Sequence, residues 1–300
     1  MKAHDHIPVV KGMIFAGCSF TWGQGLYYYS NLPTLKEPLP HHYDADLVKF
    51  THYEYMRSVR YPRLVASHFK QFEVCQPFNG GASYSIHQWW EECFNKFKSP
   101  DPEREKSVNG DYYHQKYDYE DFSHIFYQFT QWTRGHSPAM ICRNSDGAIV
   151  RTMHYSAMQN ENFPQWLEEN NLTLEQYIDR GKRREIEDAK NFLKKFEENG
   201  VKVYVVSWPF DIVDYIKNDP WLAEKLIEFD YLGTHYTNIE SMMAWSEDVR
   251  PELTIAYDRS WFKEPPSDHH PSLDCHRVIA DSIIRHLEKE QNERTQTNAL

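Results

Sequence analysis

Gly12-Met13-Ile14-Phe15-Ala16-Gly17-Cys18-Ser19-Phe20-Thr21-Trp22-Gly23 opens as an apolar run, breaks at Gly17, and places a serine two residues later with more small residues behind it. A chain that runs up a buried central strand and turns sharply leaves a hydroxyl at the strand's carboxyl end, the edge where open α/β sheets hold ligands. Taken alone, Gly17-x-Ser19 is a tight strand-to-helix turn in which Ser19 caps the next segment. As a nucleophile, Ser19 needs a base and a place for an oxyanion. The stretch Asp268-His269-His270-Pro271-Ser272, near the other end of the chain, holds a carboxylate and two imidazoles. An imidazole takes a serine proton at neutral pH, and a nearby carboxylate fixes its tautomer. Asn79-Gly80-Gly81 either makes a glycine-dependent turn or brings a backbone N–H close to a ligand.

Composition narrows what such a chain can be. Its 300 residues suffice for one large α/β domain. Hydrophobic content of 40% includes 9 Trp, 20 Tyr and 17 Phe, large contact surfaces that favour a folded protein over a disordered one. A formal net charge of -11 argues against a broad nucleic-acid footprint, so no nucleic-acid partner is expected. Five widely spaced cysteines without a Cys-x-x-Cys pair point away from a disulfide framework or thiolate zinc site. His269 and His270 lack a third ligand at regular spacing, so neither a metal nor another cofactor is expected. The start, Met1-Lys2-Ala3-His4-Asp5-His6, lacks a signal peptide's basic and apolar regions, and no window reads as a membrane span. The reading is a cytoplasmic protein without a membrane partner; release by lysis or assembly into a particle would leave no such mark.

Strand-like runs at Val9–Ala16, Glu73–Gln76, His124–Phe129 and Val201–Val206 alternate with helical patterns, and Leu253–Tyr257 reads as a last short strand. The helical patterns are Pro62–Phe69, Ile86–Phe97, Leu172–Glu198, two short helices within 211–228 split at Pro220, and Ser272–Glu290. Alternation of this kind predicts a parallel sheet of about five strands with right-handed crossovers and helices on both faces, a three-layer α/β/α domain over residues 1–300. Large insertions fall near 27–57, 99–121 and 135–170, and the polar tail at 291–300 reads as frayed.

Together, Gly17-Cys18-Ser19-Phe20-Thr21-Trp22-Gly23, Asn79-Gly80-Gly81-Ala82-Ser83 and Asp268-His269-His270-Pro271-Ser272 resemble, in order, the first, second and last blocks of the SGNH (GDSL-like) hydrolases. The resemblance implies an SGNH, flavodoxin-like fold with Ser19 as nucleophile, His270 as base and Asp268 as its partner, with His269 the alternative base. It implies the Gly81 N–H as an oxyanion donor. Where the family ends its third strand in Gly-x-Asn, this chain reads Thr130-Gln131-Trp132, so Gln131, Trp132 or Arg134 would have to replace the Asn.

Two readings follow. The first is a serine esterase acting on a small acyl ester or an O-acylated carbohydrate, with Trp22, Asn79, Trp132, Arg134 and His269 near the substrate. Trp22, Tyr27, Tyr28 and Tyr29 form either a sugar-stacking wall or ordinary packing beneath long loops. The second is an SGNH-like module that binds a glycan or protein without turnover, for example in a phage or other particle. A flavodoxin-like phosphate binder ranks below both, because no glycine-rich phosphate loop is present. The sequence leaves the oligomeric state open.

Overall fold

The computed structural model describes residues 10–30, 50–76, 83–94, 117–134, 141–143, 149–151, 163–244, 249–264, 266 and 268–297. The opening apolar run forms β1 (Gly12–Ala16), buried at every position. It pairs in parallel with β2 (Phe72–Cys75) on one side and β3 (Phe122–Phe129) on the other, and β3 pairs in parallel with β6 (Lys202–Ser207). The order is β2-β1-β3-β6. The sheet therefore grows one way from β1 to β2 and the other way to β3 and β6. The carboxyl ends of β1 and β3 flank the point of reversal, where a cleft opens in such sheets.

Alternation along the strands sorts side chains to two faces. Ile14 and Ala16 of β1 and Ile125, Tyr127 and Phe129 of β3 pack under α4 (Ser83–Phe94) and α6 (Leu174–Glu198) through Ile86, Trp90, Ala189, Phe192 and Leu193. Met13, Phe15 and Phe126 point the other way, against Val65 of α3 (Tyr61–His68) and Ile279 and Ile283 of α10 (Leu273–Thr297). The expected helical stripe is real: Ile86, Trp90 and Cys93 are buried and Trp89 is half-buried, while Phe97 lies outside the described residues. α6 starts at Thr173, whose side chain accepts from the Gln176 amide, and stops at Gly200 with φ +81°.

The central sheet has four strands among the described residues, not five. Beyond β6 stands a single parallel bridge, in which Val205 donates to the Lys225 carbonyl at 2.8 Å and accepts from Ile227 at 2.9 Å. Residues 253–257 do not form the expected last strand. They belong to two 3-10 turns, Pro251–Leu253 and Ile255–Tyr257, and Thr254 bridges to Pro271 instead of to the sheet. A proline without an N–H starts this segment, which suits a turn better than a ladder.

Parts of the insertions carry structure of their own. The first includes a 3-10 turn at Leu26–Tyr29 and α2 (Phe50–Val59). The third includes an antiparallel ribbon of β4 (Ile141–Arg143) and β5 (Ile149–Arg151), followed by α5 (Phe163–Glu169). Of the second, residues 117–121 are described. As expected, Pro220 separates α7 (Val213–Asn218) from α8 (Pro220–Ala223). A hairpin of β7 (Phe229–Tyr231) and β8 (Thr234–Tyr236), closed by Leu232 and Gly233 at positive φ, and α9 (Ile239–Met243) fill the space before the C-terminal segment. α10 continues to Thr297, past the point where fraying was expected. No described helix is long and apolar enough to cross a membrane.

One buried charge stands out between α4 and α6. Glu185 is 1% exposed and its Oε2 accepts from the Ser83 hydroxyl at 2.8 Å. Burial pushes the carboxyl up to about 8, against the opposing effect of the Ser83 bond, and Asp188 adds to the rise. The folded protein thus holds a proton that the unfolded chain releases near pH 4.5. The resulting stability is fully present below that pH and is lost as pH rises through about 8. We expect the wild-type melting temperature to fall between pH 5 and pH 8, and Glu185→Gln to flatten that fall. Equal slopes for the two proteins in calorimetric melts would contradict the assignment.

Candidate active site

The turn after β1 is built around a missing side chain. A Cβ on Gly17 would collide with Thr21 Oγ1 and lie 2.8 Å from Gln128 Cβ. Cys18 is extended and serves as N-cap of the one-turn helix α1 (Ser19–Trp22), which Gly23 ends at φ +87°. Two buried glutamines grip this turn from neighbouring strands. Gln76, just past β2, accepts from the Gly17 N–H at 3.4 Å and donates to the Gly17 carbonyl. Gln128, inside β3, accepts from the Thr21 hydroxyl and donates to Cys18 Sγ at 3.4 Å. With the Thr21 proton so used, the Tyr61 hydroxyl donates to Thr21 at 2.8 Å. The buried Arg60 guanidinium donates from Nη1 to the Trp22 carbonyl at 2.9 Å and pairs with Glu73.

The C-terminal residues reach this turn through a second set of backbone bonds. Ile255 N–H donates to the His270 carbonyl at 3.1 Å and Ser272 N–H to the Leu253 carbonyl at 3.0 Å. Ser272 Oγ donates to the Glu252 carbonyl and accepts from the Cys275 amide at 3.2 Å, capping α10. Gly25, at φ +86°, leaves room for Asp268: a Cβ there would lie 2.9 Å from Asp268 Oδ2 and 2.5 Å from Ile255 Cδ1. Phe20 sets its ring edge-to-face on His270 at 5.0 Å and on Trp208 at 3.8 Å.

Between these two sets lies a continuous line of polar atoms. Ser19 Oγ is 2.8 Å from His270 Nε2, and His270 Nδ1 is 2.5 Å from Asp268 Oδ1. Asp268 Oδ1 also accepts from the His270 backbone N–H at 3.1 Å, which holds the carboxylate in line with the ring. A carboxylate only accepts, so Nδ1 carries the imidazole proton and Nε2 presents its lone pair to the serine. Ser19 is 7% exposed and the His270 side chain 19% exposed, a partly desolvated pair with one open side. His270, not His269, occupies the position against Ser19. His269 is exposed, its ring 5.8 Å from that of Tyr257.

Other sequence candidates fall elsewhere. Trp132 is buried, its ring lying where a Cβ on Gly181 would go, and its Nε1–H donates to Asp211 Oδ2 at 3.2 Å. Gln131 is exposed just past β3. Arg134 ends the 3-10 turn that Trp132 begins, and its side chain lies outside the described residues. Asn79 and Gly81 also lie outside them. Trp22, Tyr27 and Tyr29 form a small core with Met56, Ile255 and Leu273, and Tyr28 packs against it half-buried. These rings are packing rather than an exposed wall. Among the described residues of the segment that leads to His270, Tyr257 and Trp261 are exposed aromatics.

Gln76, Thr21, Tyr61 and Gln128 were not anticipated from the sequence. One signal was present: Gln128 interrupts the apolar run Ile125-Phe126-Tyr127-Gln128-Phe129, and a buried polar residue in a central strand requires a partner. Cys18, Cys75, Cys93 and Cys275 are not in disulfides. Among the described residues no three His, Cys, Asp or Glu side chains converge to hold a metal ion. No protein-family model, curated protein or solved structure matches this chain.

The line of bonds makes a spectroscopic prediction. A short, charge-assisted Nδ1–H···Oδ1 bond deshields its proton. We expect a strongly downfield resonance in proton spectra of the wild type, and none in Asp268→Ala. Gly25→Ala should displace that resonance and lower stability by roughly 1 kcal/mol or more, because it adds a methyl at positive φ against Asp268. A resonance unmoved in both variants would place the proton elsewhere.

Proposed function

We propose that the chain is a serine hydrolase of the SGNH type that cleaves an acyl ester. The observation that carries this reading is the contact from Ser19 Oγ to His270 Nε2, 2.8 Å across 251 residues of sequence, continued to Asp268. Ser19 Oγ attacks the acyl carbon while its proton passes to Nε2. Asp268 holds the ring and stabilises the imidazolium. Collapse of the tetrahedral intermediate expels the alcohol, which takes the proton from Nε2. Water then repeats the sequence on the acyl-enzyme, releases the acid and restores Ser19. The base is regenerated in each half-reaction, so the reading needs no cofactor.

The oxyanion would be met by the N–H of Ser19, in the first turn of α1, whose amides have no partners within the helix. The resemblance adds the N–H of Gly81 and, from the third block, Gln131. The substrate class is a small acyl ester or an O-acylated carbohydrate, and the setting a reducing cytoplasm.

A second reading keeps the fold and gives up turnover: a glycan- or protein-binding module, as in a particle. The engagement of Trp132 Nε1–H by Asp211 favours it, since this indole is not free to replace the family Asn. Loss of one such donor lowers kcat by ~10²–10³. Labelling with a fluorophosphonate separates the two readings. We expect stoichiometric modification of Ser19, none in Ser19→Ala, and Ser19-dependent hydrolysis of p-nitrophenyl acetate that His270→Ala lowers by about 10³-fold or more. Absence of both labelling and turnover would leave the binding module.

A further inference from the structure

His270 sits on a short stretch of loop whose anchors lead outward to the hairpin of β7 and β8. Its carbonyl accepts from the Ile255 N–H at 3.1 Å. Two residues on, the Ser272 N–H donates to the Leu253 carbonyl at 3.0 Å and the Ser272 hydroxyl to the Glu252 carbonyl. Three bonds thus tie the loop to residues 252–255, and they place His270 only as firmly as the turn Pro251–Leu253 is itself placed. The strands of the hairpin alternate. Phe229, Tyr231 and Tyr236 fall on its inner face, where Phe229 is fully buried and both tyrosines pack against the same core. Asp230 and His235 fall on the outer face and pair with one another at 2.8 Å.

Both inner tyrosines hold the turn. Glu252 Oε1 accepts from the Tyr231 hydroxyl at 2.6 Å. Desolvation, and after it the bond to Glu252, push that hydroxyl above the ordinary tyrosine range, so it stays a donor. Arg250, the residue before the turn, donates from Nη1 to the Met242 carbonyl of α9 at 2.6 Å and from Nη2 to the Tyr236 hydroxyl. Its guanidinium carbon lies 5.3 Å from the Tyr231 ring centre and 4.8 Å from that of Tyr236, within cation–π reach of both. One half-buried arginine and one tyrosine hydroxyl therefore connect the hairpin to the two carbonyls that hold Ser272.

We propose that Arg250 and Tyr231 are positioning residues for His270: they clamp the turn at 251–253 to the hairpin, and the turn keeps the imidazole on the line between Ser19 and Asp268. The effect on rate rests on the hydrolase reading; the effect on the imidazole does not. The experiment follows the ring nitrogens of His270 in proton–nitrogen correlation spectra of the full chain, made with isotope-labelled histidine and recorded at about pH 8, above the ordinary imidazole range. Loss of the signals in His270→Ala assigns them. The kcat and KM for p-nitrophenyl acetate are measured beside them. In the wild type we expect the widely separated nitrogen signals of a single tautomer protonated at Nδ1. Tyr231→Phe and Arg250→Met should draw the two signals together as the tautomers exchange, and lower kcat about three- to tenfold with KM unchanged. Arg250→Lys, which keeps the charge but not the fork, should fall between Arg250→Met and the wild type. Tyr231→Phe removes a hydroxyl and leaves the ring, so it provides a readout where Arg250→Met fails to fold. Signals unmoved in both variants would overturn the clamp whatever the melting temperature does, as would averaged signals in the wild type. Moved signals with kcat unchanged in an active enzyme would overturn it too. If the wild type turns over no ester, the hydrolase reading fails and the His270 signals alone decide: drawn together in the variants they support the clamp, and unmoved they overturn it.

Discussion

The close approach of Gly17 to Thr21 and Gln128 is the constraint on which the carboxyl edge of the sheet depends. No side chain fits at Gly17, so β1 can end and α1 can begin within two residues, and Ser19 lands at the point where strand order reverses. The turn buries several backbone and side-chain polar groups. Each would cost about 1–3 kcal/mol unpaired. Gln76 and Gln128 supply the pairs from the strands on either side, each as donor and as acceptor. The amide side chain suits this task because it carries both functions on one rigid plane. The serine is therefore held by three adjacent strands, not by the turn alone.

The second requirement is that residues 251 positions away meet that serine. Closing so long a loop costs little more entropy than closing one of half the length, since the cost grows only logarithmically. What it demands is an anchor at the far end. α10 packs Ile279 and Ile283 on the face of the sheet that carries Met13 and Phe15, and Leu253 and Ile255 bond to Ser272 and His270, on either side of Pro271. The two turns of that segment do what the expected strand would have done, with fewer ladder bonds and tighter control of one loop. Gly25 completes the fit from the N-terminal side by giving Asp268 the space that any side chain would fill.

Much of this was legible in the sequence because it is written in local patterns. Apolar runs identify β1, β3 and β6, the spacing of Ile86, Trp90 and Cys93 identifies α4, and the two terminal motifs supply the Ser19, Asp268 and His270 side chains that meet in the fold. The choice between His269 and His270 was not legible, because adjacent side chains point in different directions only once Ile255 fixes the backbone. Nor was the role of Tyr27 and Tyr29: clustered aromatics look alike whether they face solvent or pack beneath α2, and here they pack. The fifth strand was overcounted because Leu253 and Ile255 are buried as strand residues would be, yet sit on successive 3-10 turns. Gln76 was not legible because its partners are backbone atoms of Gly17, and Arg60 because one of its partners is the Trp22 carbonyl; a backbone partner leaves no residue type to read.

Trp132 shows how a departure from an expected motif can have its own structural logic. A glycine within α6 costs about 1 kcal/mol against alanine in helix propensity. Gly181 is nonetheless required, since the Trp132 ring occupies the place of its Cβ. The indole also stacks edge-on with Tyr177 at 6.1 Å and donates to Asp211, which in turn pairs with Lys182 at 2.9 Å. The segment after β3 is thereby locked onto α6 by packing and a charged bond together. An asparagine would give up the ring contacts and leave a gap above Gly181. The same lock engages the indole N–H, which under the proposed hydrolase reading leaves Gln131 and the backbone N–H groups of Ser19 and Gly81 as the donors for charge beside Ser19.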